Sequence, residues 1–152
     1  MKIIRLVLSI TVAVVLTVLT ACSSSPTQVA VEVSYDDFME VKDTISRHVS
    51  KEIEVSVDSS FTVTLWSNAT TGFKWSELAI IRDQNVVQQI GHEYIAPVGN
   101  GGTPPPPGTA GNEVWTFKAL KKGTSDISME YSQPWEGGEK DAFGFFLTVV
   151  VK

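Results

Sequence analysis

Few residues of this chain could carry out covalent chemistry. Cys22 is the only cysteine, and His48 and His92 are the only histidines. His92 precedes Glu93, and the two could form part of an acid/base pair, although a position in an ordinary strand explains both histidines more simply. No histidine or cysteine cluster has the spacing of metal ligands. The sequence therefore predicts that the chain is not an enzyme and that it binds no metal or other cofactor.

Cys22 lies at the end of a segment typical of exported proteins. Lys2 and Arg5 form a short basic region, and an apolar stretch of 14 residues follows at positions 6–19. That stretch is shorter than the about 20 residues that a membrane-spanning helix needs, and it fits a signal peptide. Leu19-Thr20-Ala21-Cys22 resembles the bacterial lipobox, with an ordinary signal peptide and an incidental cysteine as the alternative. We predict a lipoprotein signal peptide over residues 1–21 and lipid attachment at Cys22.

This prediction sets the location and the net charge of the mature chain. We expect an exported protein, lipid-anchored to the bacterial membrane in the cell envelope, because several acyl chains hold a protein stably on a membrane. Loss of residues 1–21 removes two basic residues and changes the net charge from −5 to −7. So acidic a chain, without a Lys/Arg cluster, excludes nucleic acid as a partner. A single cysteine also excludes an intramolecular disulfide.

Three stretches of the chain carry more than a simple connection requires. Residues 68–73 combine Asn68, which can hydrogen-bond its own backbone two residues on, with Gly72, which can take a positive φ. Residues 99–111 combine glycines, which let a backbone approach a partner, with four stiffening prolines. Residues 132–138 contain Trp135, and exposed tryptophans are favoured in binding sites. The plain alternatives are a hairpin loop, a disordered connection and a tryptophan that covers the end of the domain.

The elements that position these stretches are mainly strands. From Glu52 onward, apolar residues alternate with polar ones, which is the pattern of β-strands. Residues 76–90 fit either a helix or two strands, and their surroundings favour two strands joined by a turn near Asp83-Gln84-Asn85. Many short strands with Gly- and Pro-rich breaks predict an all-β protein with a β-sandwich. The alternating rows are Ile53, Val55, Val57; Phe61, Val63, Leu65; Trp115, Phe117, Ala119; Ile127, Met129, Tyr131; and Phe143, Phe145, Leu147, Val149, Val151.

The part before these strands is predicted to be simpler. Residues 22–44 would hold the lipidated cysteine and a flexible tether, with a short helix near its end; the polar run 23–28 is typical of a linker. Ser34 could cap that helix, because Asp36 and Asp37 would follow in the first turn, where the helix dipole favours negative charge. The remaining residues, 45–152, suit one domain with a sizeable core.

The three stretches resemble, in order and spacing, the chagasin-like inhibitors of cysteine peptidases (family I42). The shared motifs are Asn-x-Thr-Thr-Gly-aromatic-x-Trp at 68–75, Gly-x-Gly-Gly at 99–102 and x-Pro-Trp at 133–135. The resemblance covers residues 45–152. It implies an immunoglobulin-like β-sandwich with three binding loops at one end, which block the active-site cleft of a papain-like (clan CA, family C1) cysteine peptidase reversibly.

The resemblance also implies which residues bind the peptidase. Thr70 would lie over the catalytic thiolate, the glycines of the second stretch would approach the cleft wall, and Trp135 would pack on the aromatic side of the cleft. We expect the inhibitor to be a monomer. The implied binding residues are Asn68, Ala69, Thr70, Thr71, Gly72, Phe73, Gly99, Asn100, Gly101, Gly102, Gln133, Pro134 and Trp135.

Two of these positions depart from the family's usual residues. Ala69 stands where a proline is common, which loosens the first loop. Gln133 stands where an arginine is common, which removes a charge-assisted hydrogen bond of about 1.5–3 kcal/mol. Both departures bear on affinity and target range more than on inhibition itself.

A second hypothesis keeps the sandwich but not the inhibition. β-Sandwiches host many unrelated functions, so a cell-surface module that binds carbohydrate or an envelope protein would show the same strand pattern. The two hypotheses differ in one measurable property, which is inhibition of a papain-like peptidase.

Overall fold

The computed structural model describes residues 28–41 and 47–152. The predicted signal peptide, the lipobox with Cys22 and residues 23–27 of the polar run lie outside the described residues. Within the described part of the chain, no helix is long and apolar enough to cross a membrane. The elements follow in the order β1 (Val29–Val33), α1 (Tyr35–Met39), β2 (Arg47–Val55), β3 (Ser60–Ser67), β4 (Lys74–Trp75), β5 (Ile80–Ile81), β6 (Val87–Ile95), β7 (Gly111–Ala119), β8 (Gly123–Ser132) and β9 (Phe143–Val151).

The strands form two sheets. β1, β3, β7 and β6 lie side by side in the first sheet, and β2, β9, β8 and β4 in the second, where β5 also pairs with β8. β1 runs parallel to β3 and β2 runs parallel to β9, whereas the other paired strands are antiparallel. The predicted fold class, an all-β immunoglobulin-like sandwich, is confirmed.

The alternating rows supply the core between the sheets. Every second side chain of β3 and β7 in the first sheet faces those of β8 and β9 in the second. Burial of each large apolar side chain stabilises the fold by about 1.5–3 kcal/mol, so this core holds the strand ends firmly. Its central members are Phe61, Val63, Leu65, Trp115, Phe117, Ala119, Ile127, Met129, Tyr131, Phe145, Leu147 and Val149.

The segment that precedes the predicted domain boundary at residue 45 also packs on the sandwich. β1 pairs with β3 along its whole length. Ser34 caps α1 as predicted: the hydroxyl accepts a hydrogen bond from the Asp37 N–H at 3.3 Å, and the Asp37 carboxylate accepts one from the Ser34 N–H at 2.7 Å. Phe38 is fully buried against Trp75. The packed domain therefore includes the segment from β1 to α1, which was predicted to belong to the tether region.

Residues 76–90 form the predicted pair of strands and not a helix. Asp83 closes the turn between the two strands. Its side chain accepts a hydrogen bond from the Asn85 N–H at 2.9 Å, and its backbone carbonyl accepts one from the Val86 N–H at 3.1 Å. β5 then pairs with β8 in the second sheet, whereas β6 pairs with β7 in the first. This turn therefore carries the chain from one sheet to the other.

Candidate functional site

Three connections meet at one end of the sandwich. We call them loop 1 (residues 68–73, between β3 and β4), loop 2 (96–110, between β6 and β7) and loop 3 (133–142, between β8 and β9). The strand register places them together. Ser67 at the end of β3 pairs with Gly111 at the start of β7, and Lys74 at the start of β4 pairs with Ser132 at the end of β8.

Loop 1 is closed by its own hydrogen bonds. The Asn68 side-chain oxygen accepts from the Thr70 N–H at 3.1 Å and from the Thr70 hydroxyl at 2.8 Å. The Asn68 carbonyl accepts from the Thr71 N–H at 3.1 Å and from the Thr71 hydroxyl at 2.7 Å. Gly72 ends this short 3-10 turn at φ = 80°, a conformation that favours glycine. The predicted bend, with Asn68 and Gly72 in these roles, is confirmed.

Tyr131 fixes loop 1 to the core. Its hydroxyl accepts a hydrogen bond from the Asn68 N–H at 3.0 Å and donates one to the Asn68 carbonyl at 3.3 Å. The ring of Phe73 stacks on the Tyr131 ring with centroids 5.5 Å apart. Phe73 therefore faces the interior and supports the loop, whereas Ala69, Thr70 and Thr71 are exposed at its tip.

Loop 3 is closed by a pairing between its two stems. The Gln133 N–H donates to the Glu139 carbonyl at 2.8 Å, and the Glu139 N–H donates to the Gln133 side-chain oxygen at 2.9 Å. The Lys140 ammonium also donates to the Gln133 carbonyl. The side chain of Gln133 is thus committed within the loop, whereas Pro134 and Trp135 are exposed.

Loop 2 uses its glycines in two ways. A Cβ on Gly99 would overlap the Thr103 carbonyl oxygen, so Gly99 is needed for the loop's own close turn. Gly101 and Gly102 have φ values of 63° and 83° and have nothing within 4 Å of an added Cβ. Their backbone is therefore open to a partner. Asn100 directly precedes them in the same backbone turn.

Two contacts join the three loops into one surface. The Asn68 side-chain amide donates to the Gly108 carbonyl at 3.1 Å, which links loop 1 to loop 2. The Trp135 ring of loop 3 lies over Gly72 of loop 1, so that an added Cβ on Gly72 would be 2.7 Å from the Trp135 Cη2 atom. Trp135 remains 50% exposed. The tip of loop 1 therefore lies between the other two loops.

One polar group beneath this surface was not among the predicted site residues. Glu113 occupies a core-facing position of β7, and its carboxylate contacts Ser67, Trp75 and His92. His92 thus pairs with Glu113 and not with its sequence neighbour Glu93. The sequence does contain a clue: Glu113 continues the alternating row of Trp115, Phe117 and Ala119, where an apolar residue is expected.

Known proteins resemble this chain in sequence family and in fold. Residues 54–149 match the chagasin family peptidase inhibitor I42. No curated protein matches the chain in a sequence search. The crystal structure of the cysteine protease inhibitor EhICP2 from Entamoeba histolytica is similar, with a TM-score of 0.59 and 19% identity over 84% of this chain and 99% of that one. The solution structure of amebosin has a TM-score of 0.48 and 18% identity over 82% of this chain and 98% of that one.

The family match covers more than half of the chain and includes all three loops. The likeness to EhICP2 supports the fold alone, because a sequence identity of 19% is too low to carry a function across. The matched span contains the three loops that the strand register and the cross-loop contacts bring into one surface. The chain accordingly belongs to the chagasin family of peptidase inhibitors and is an inhibitor, not an enzyme.

Proposed function

We propose that the chain inhibits papain-like cysteine peptidases reversibly, by filling their active-site cleft with loops 1, 2 and 3. The observation that carries this proposal is the pair of cross-loop contacts, from Asn68 to Gly108 and from Trp135 to Gly72. They support a single continuous surface whose middle element is the tip of loop 1. A cleft is a groove, and three adjacent projecting loops are a shape that can fill one.

In this proposal Thr70 occupies the centre of the cleft, above the catalytic thiolate of the peptidase. The loop would block the thiolate without being cleaved, because its bend is held by Asn68 and is not extended as a substrate would be. Gly101 and Gly102 would approach the cleft with their backbone on one side. Trp135 would contact it on the other.

Affinity in this arrangement comes from a surface formed during folding. Loop 1 is ordered by its own hydrogen bonds and by Tyr131, so little conformational entropy remains to be lost on binding. Ala69 therefore need not be a proline for the bend to hold. Gln133 acts through the closure of loop 3, where its side chain bonds the Glu139 N–H.

The test is a titration of papain and several cathepsin-type peptidases with the chain from residue 22 onward, carrying Cys22→Ser so that no lipid is attached. We expect loss of peptidase activity that is recovered on dilution. Absence of inhibition at micromolar concentration with all of these peptidases would reject the proposal. Trypsin, a serine peptidase, serves as the control for peptidase class.

Trp135→Ala tests the proposed contact directly. We expect the inhibition constant to rise about tenfold or more, as for tryptophans at the centre of interfaces. Phe146→Ala is the matched control, because Phe146 is 42% exposed on β9, outside the three loops. An unchanged inhibition constant for Trp135→Ala would remove Trp135 from the binding surface.

We also propose that the protein is an exported, monomeric lipoprotein with its lipid on Cys22. The fold supports a useful orientation: Val29 pairs with Phe61 near the start of β3, whereas loop 1 follows the end of the same strand. The lipid attachment would thus lie at the opposite end of the sandwich from the loops, and they would face away from the membrane. Mass spectrometry of the membrane fraction should detect a diacylglyceryl group on the N-terminal Cys22, and a Cys22→Ser variant should leave that fraction.

A further inference from the structure

Glu113 is a charged residue in the core, at a position where the rest of its row is apolar or glycine. Its side chain is only 6% exposed. One carboxylate oxygen accepts a hydrogen bond from the Ser67 hydroxyl at 2.8 Å and another from the Trp75 N–H at 3.3 Å. The other oxygen lies 2.9 Å from the His92 ring nitrogen Nε2. Three elements besides β7 thus converge on one carboxylate.

Two of these contacts flank loop 1. Ser67 is the last residue of β3 and directly precedes Asn68, and Trp75 is the last residue of β4, two positions after Phe73. A single oxygen of Glu113 therefore holds both stems of the loop. The stems belong to different sheets, since β3 lies in the first and β4 in the second. The carboxylate bridges the sandwich directly beneath the loop tip.

β4 depends on this bridge more than the longer strands do. It has two residues and forms the edge of its sheet beside β8. The Ser76 N–H that follows it donates to the Glu130 carbonyl of β8, so the Trp75 N–H points away from β8 and towards Glu113. Without the carboxylate, this buried N–H would lose its partner, which is costly in a core.

We infer that Glu113 is a positioning residue for inhibition: its carboxylate sets the spacing of the two stems of loop 1 and thereby the position of Thr70. This inference rests on the proposed inhibitory function. Burying a carboxylate costs free energy, because the charged group loses its hydration. An apolar side chain of similar size would fill the same space without that cost. The benefit is directional, since hydrogen bonds fix where the stems lie and apolar contact does not.

His92 completes the site from β6. Its ring packs on Trp115 with centroids 4.8 Å apart, and Trp115 donates to the Glu77 carbonyl at 3.2 Å. His92 is therefore held in place to contact the second oxygen of Glu113. This leaves the first oxygen directed at Ser67 and Trp75.

The test compares Glu113→Ala with Glu113→Gln in two measurements. Glutamine keeps an acceptor oxygen for Ser67 and Trp75, and its amide can donate to His92 when the ring proton is on Nδ1. We expect the alanine variant to raise the inhibition constant against papain about tenfold or more, since two buried donors lose their acceptor. We expect the glutamine variant to remain within about threefold of the wild type. Hydrogen exchange at the amides of Thr70, Thr71 and Trp75 should accelerate in the alanine variant alone.

Phe61→Leu is the control for a loss of stability without a change in loop 1. Phe61 is fully buried near the start of β3, at the end of the sandwich away from the loops, where it stacks on Phe117. This variant should lower the thermal midpoint and leave the inhibition constant unchanged. If Glu113→Ala does not fold, Ser67→Ala removes one stem contact and should show the same selective exchange in loop 1.

Two outcomes would overturn the inference. One is a folded variant without the Glu113 or Ser67 contact that keeps both the wild-type inhibition constant and the wild-type exchange of loop 1. The other is a glutamine variant as impaired as the alanine variant, because then the acceptor geometry would not be what positions the loop. The exchange measurement needs no peptidase, so a failure of the inhibitory proposal itself, seen as a wild type that inhibits nothing, is distinguishable.

Discussion

Loops 1 and 2 lie next to each other on the same surface but are built differently. Loop 1 spans six residues and is tied to the fold by side chains, namely Asn68 within the loop and Tyr131 and Glu113 beneath it. Loop 2 is longer and takes its shape from backbone turns, at Asn100–Gly102 and where the Thr109 N–H donates to the Pro106 carbonyl at 3.2 Å. A rigid central loop beside a longer one rich in glycine and proline is a division of roles. In the proposed complex, the first would set the depth of insertion and the second would set the fit to one wall of the cleft.

The largest expected effect comes from a methyl group at Gly72. Gly72→Ala would strain the backbone at φ = 80° by about 1–2 kcal/mol and would also push Trp135 off loop 1. We expect the inhibition constant against papain to rise roughly a hundredfold, from strain combined with the loss of a tryptophan contact.

Gly137→Ala is the matched control, in loop 3, at a glycine to which no contact with the peptidase is assigned. Its φ of 74° imposes similar strain, but an added Cβ meets nothing within 4 Å. We therefore expect a clearly smaller rise in the inhibition constant. Equal losses for the two variants would show that backbone strain alone matters and that the contact of Trp135 with Gly72 does not.

A smaller effect is expected when the two loops are uncoupled from each other. Asn68→Asp keeps the oxygen that accepts from Thr70 but replaces the amide that donates to the Gly108 carbonyl with a second oxygen. Loss of one hydrogen bond between the loops should raise the inhibition constant about three- to tenfold. NMR chemical shifts of Thr70 and Thr71 should stay near their wild-type values, while those around Gly108 change.

Asn68→Ala removes both functions of the side chain and should be worse than Asn68→Asp. If the two variants inhibit equally, the link to loop 2 accounts for the whole contribution of Asn68. The bend of loop 1 would then hold without its Asx hydrogen bonds.

The same contrast explains how far the sequence predicts this site. The bend of loop 1 is a local property, because Asn68 bonds its own backbone and Gly72 supplies the positive φ, and both were predictable from residue types. The contact of Trp135 with Gly72 and the stem contacts of Glu113 are not local. They depend on which strands become neighbours, and the residue pattern within one segment does not predict strand pairing.

Strand pairing shows the same limit at the level of the fold. The alternating rows predicted the strands themselves, yet β2 and β3, which follow each other closely, lie in different sheets. β2 instead pairs in parallel with β9, nearly a hundred residues away in the chain, for example Arg47 with Phe143. β1 and β2 also lie in different sheets, and α1 between them buries Phe38 in the core, which the linker-like composition upstream did not suggest.

The smallest expected effect is on stability, at α1. Hydrogen bonds from the Ser34 hydroxyl and N–H hold the pKa of the Asp37 carboxyl below its usual value. The folded state therefore binds this proton less readily than the unfolded state, so the contribution is present at neutral pH and is lost as the pH falls below about 4. Ser34→Ala should cost about 1 kcal/mol at pH 7 and less in acid, where the carboxylate contact is lost but the hydrogen bond from the Asp37 N–H to the Ser34 hydroxyl remains; urea unfolding at neutral and at acid pH measures the difference. Inhibition should be unchanged, because α1 supports the sandwich while loop 1 is held by Tyr131 and Glu113. A fully folded Ser34→Ala variant that inhibits more weakly would show instead that α1, whose Phe38 packs on Trp75, helps to position loop 1.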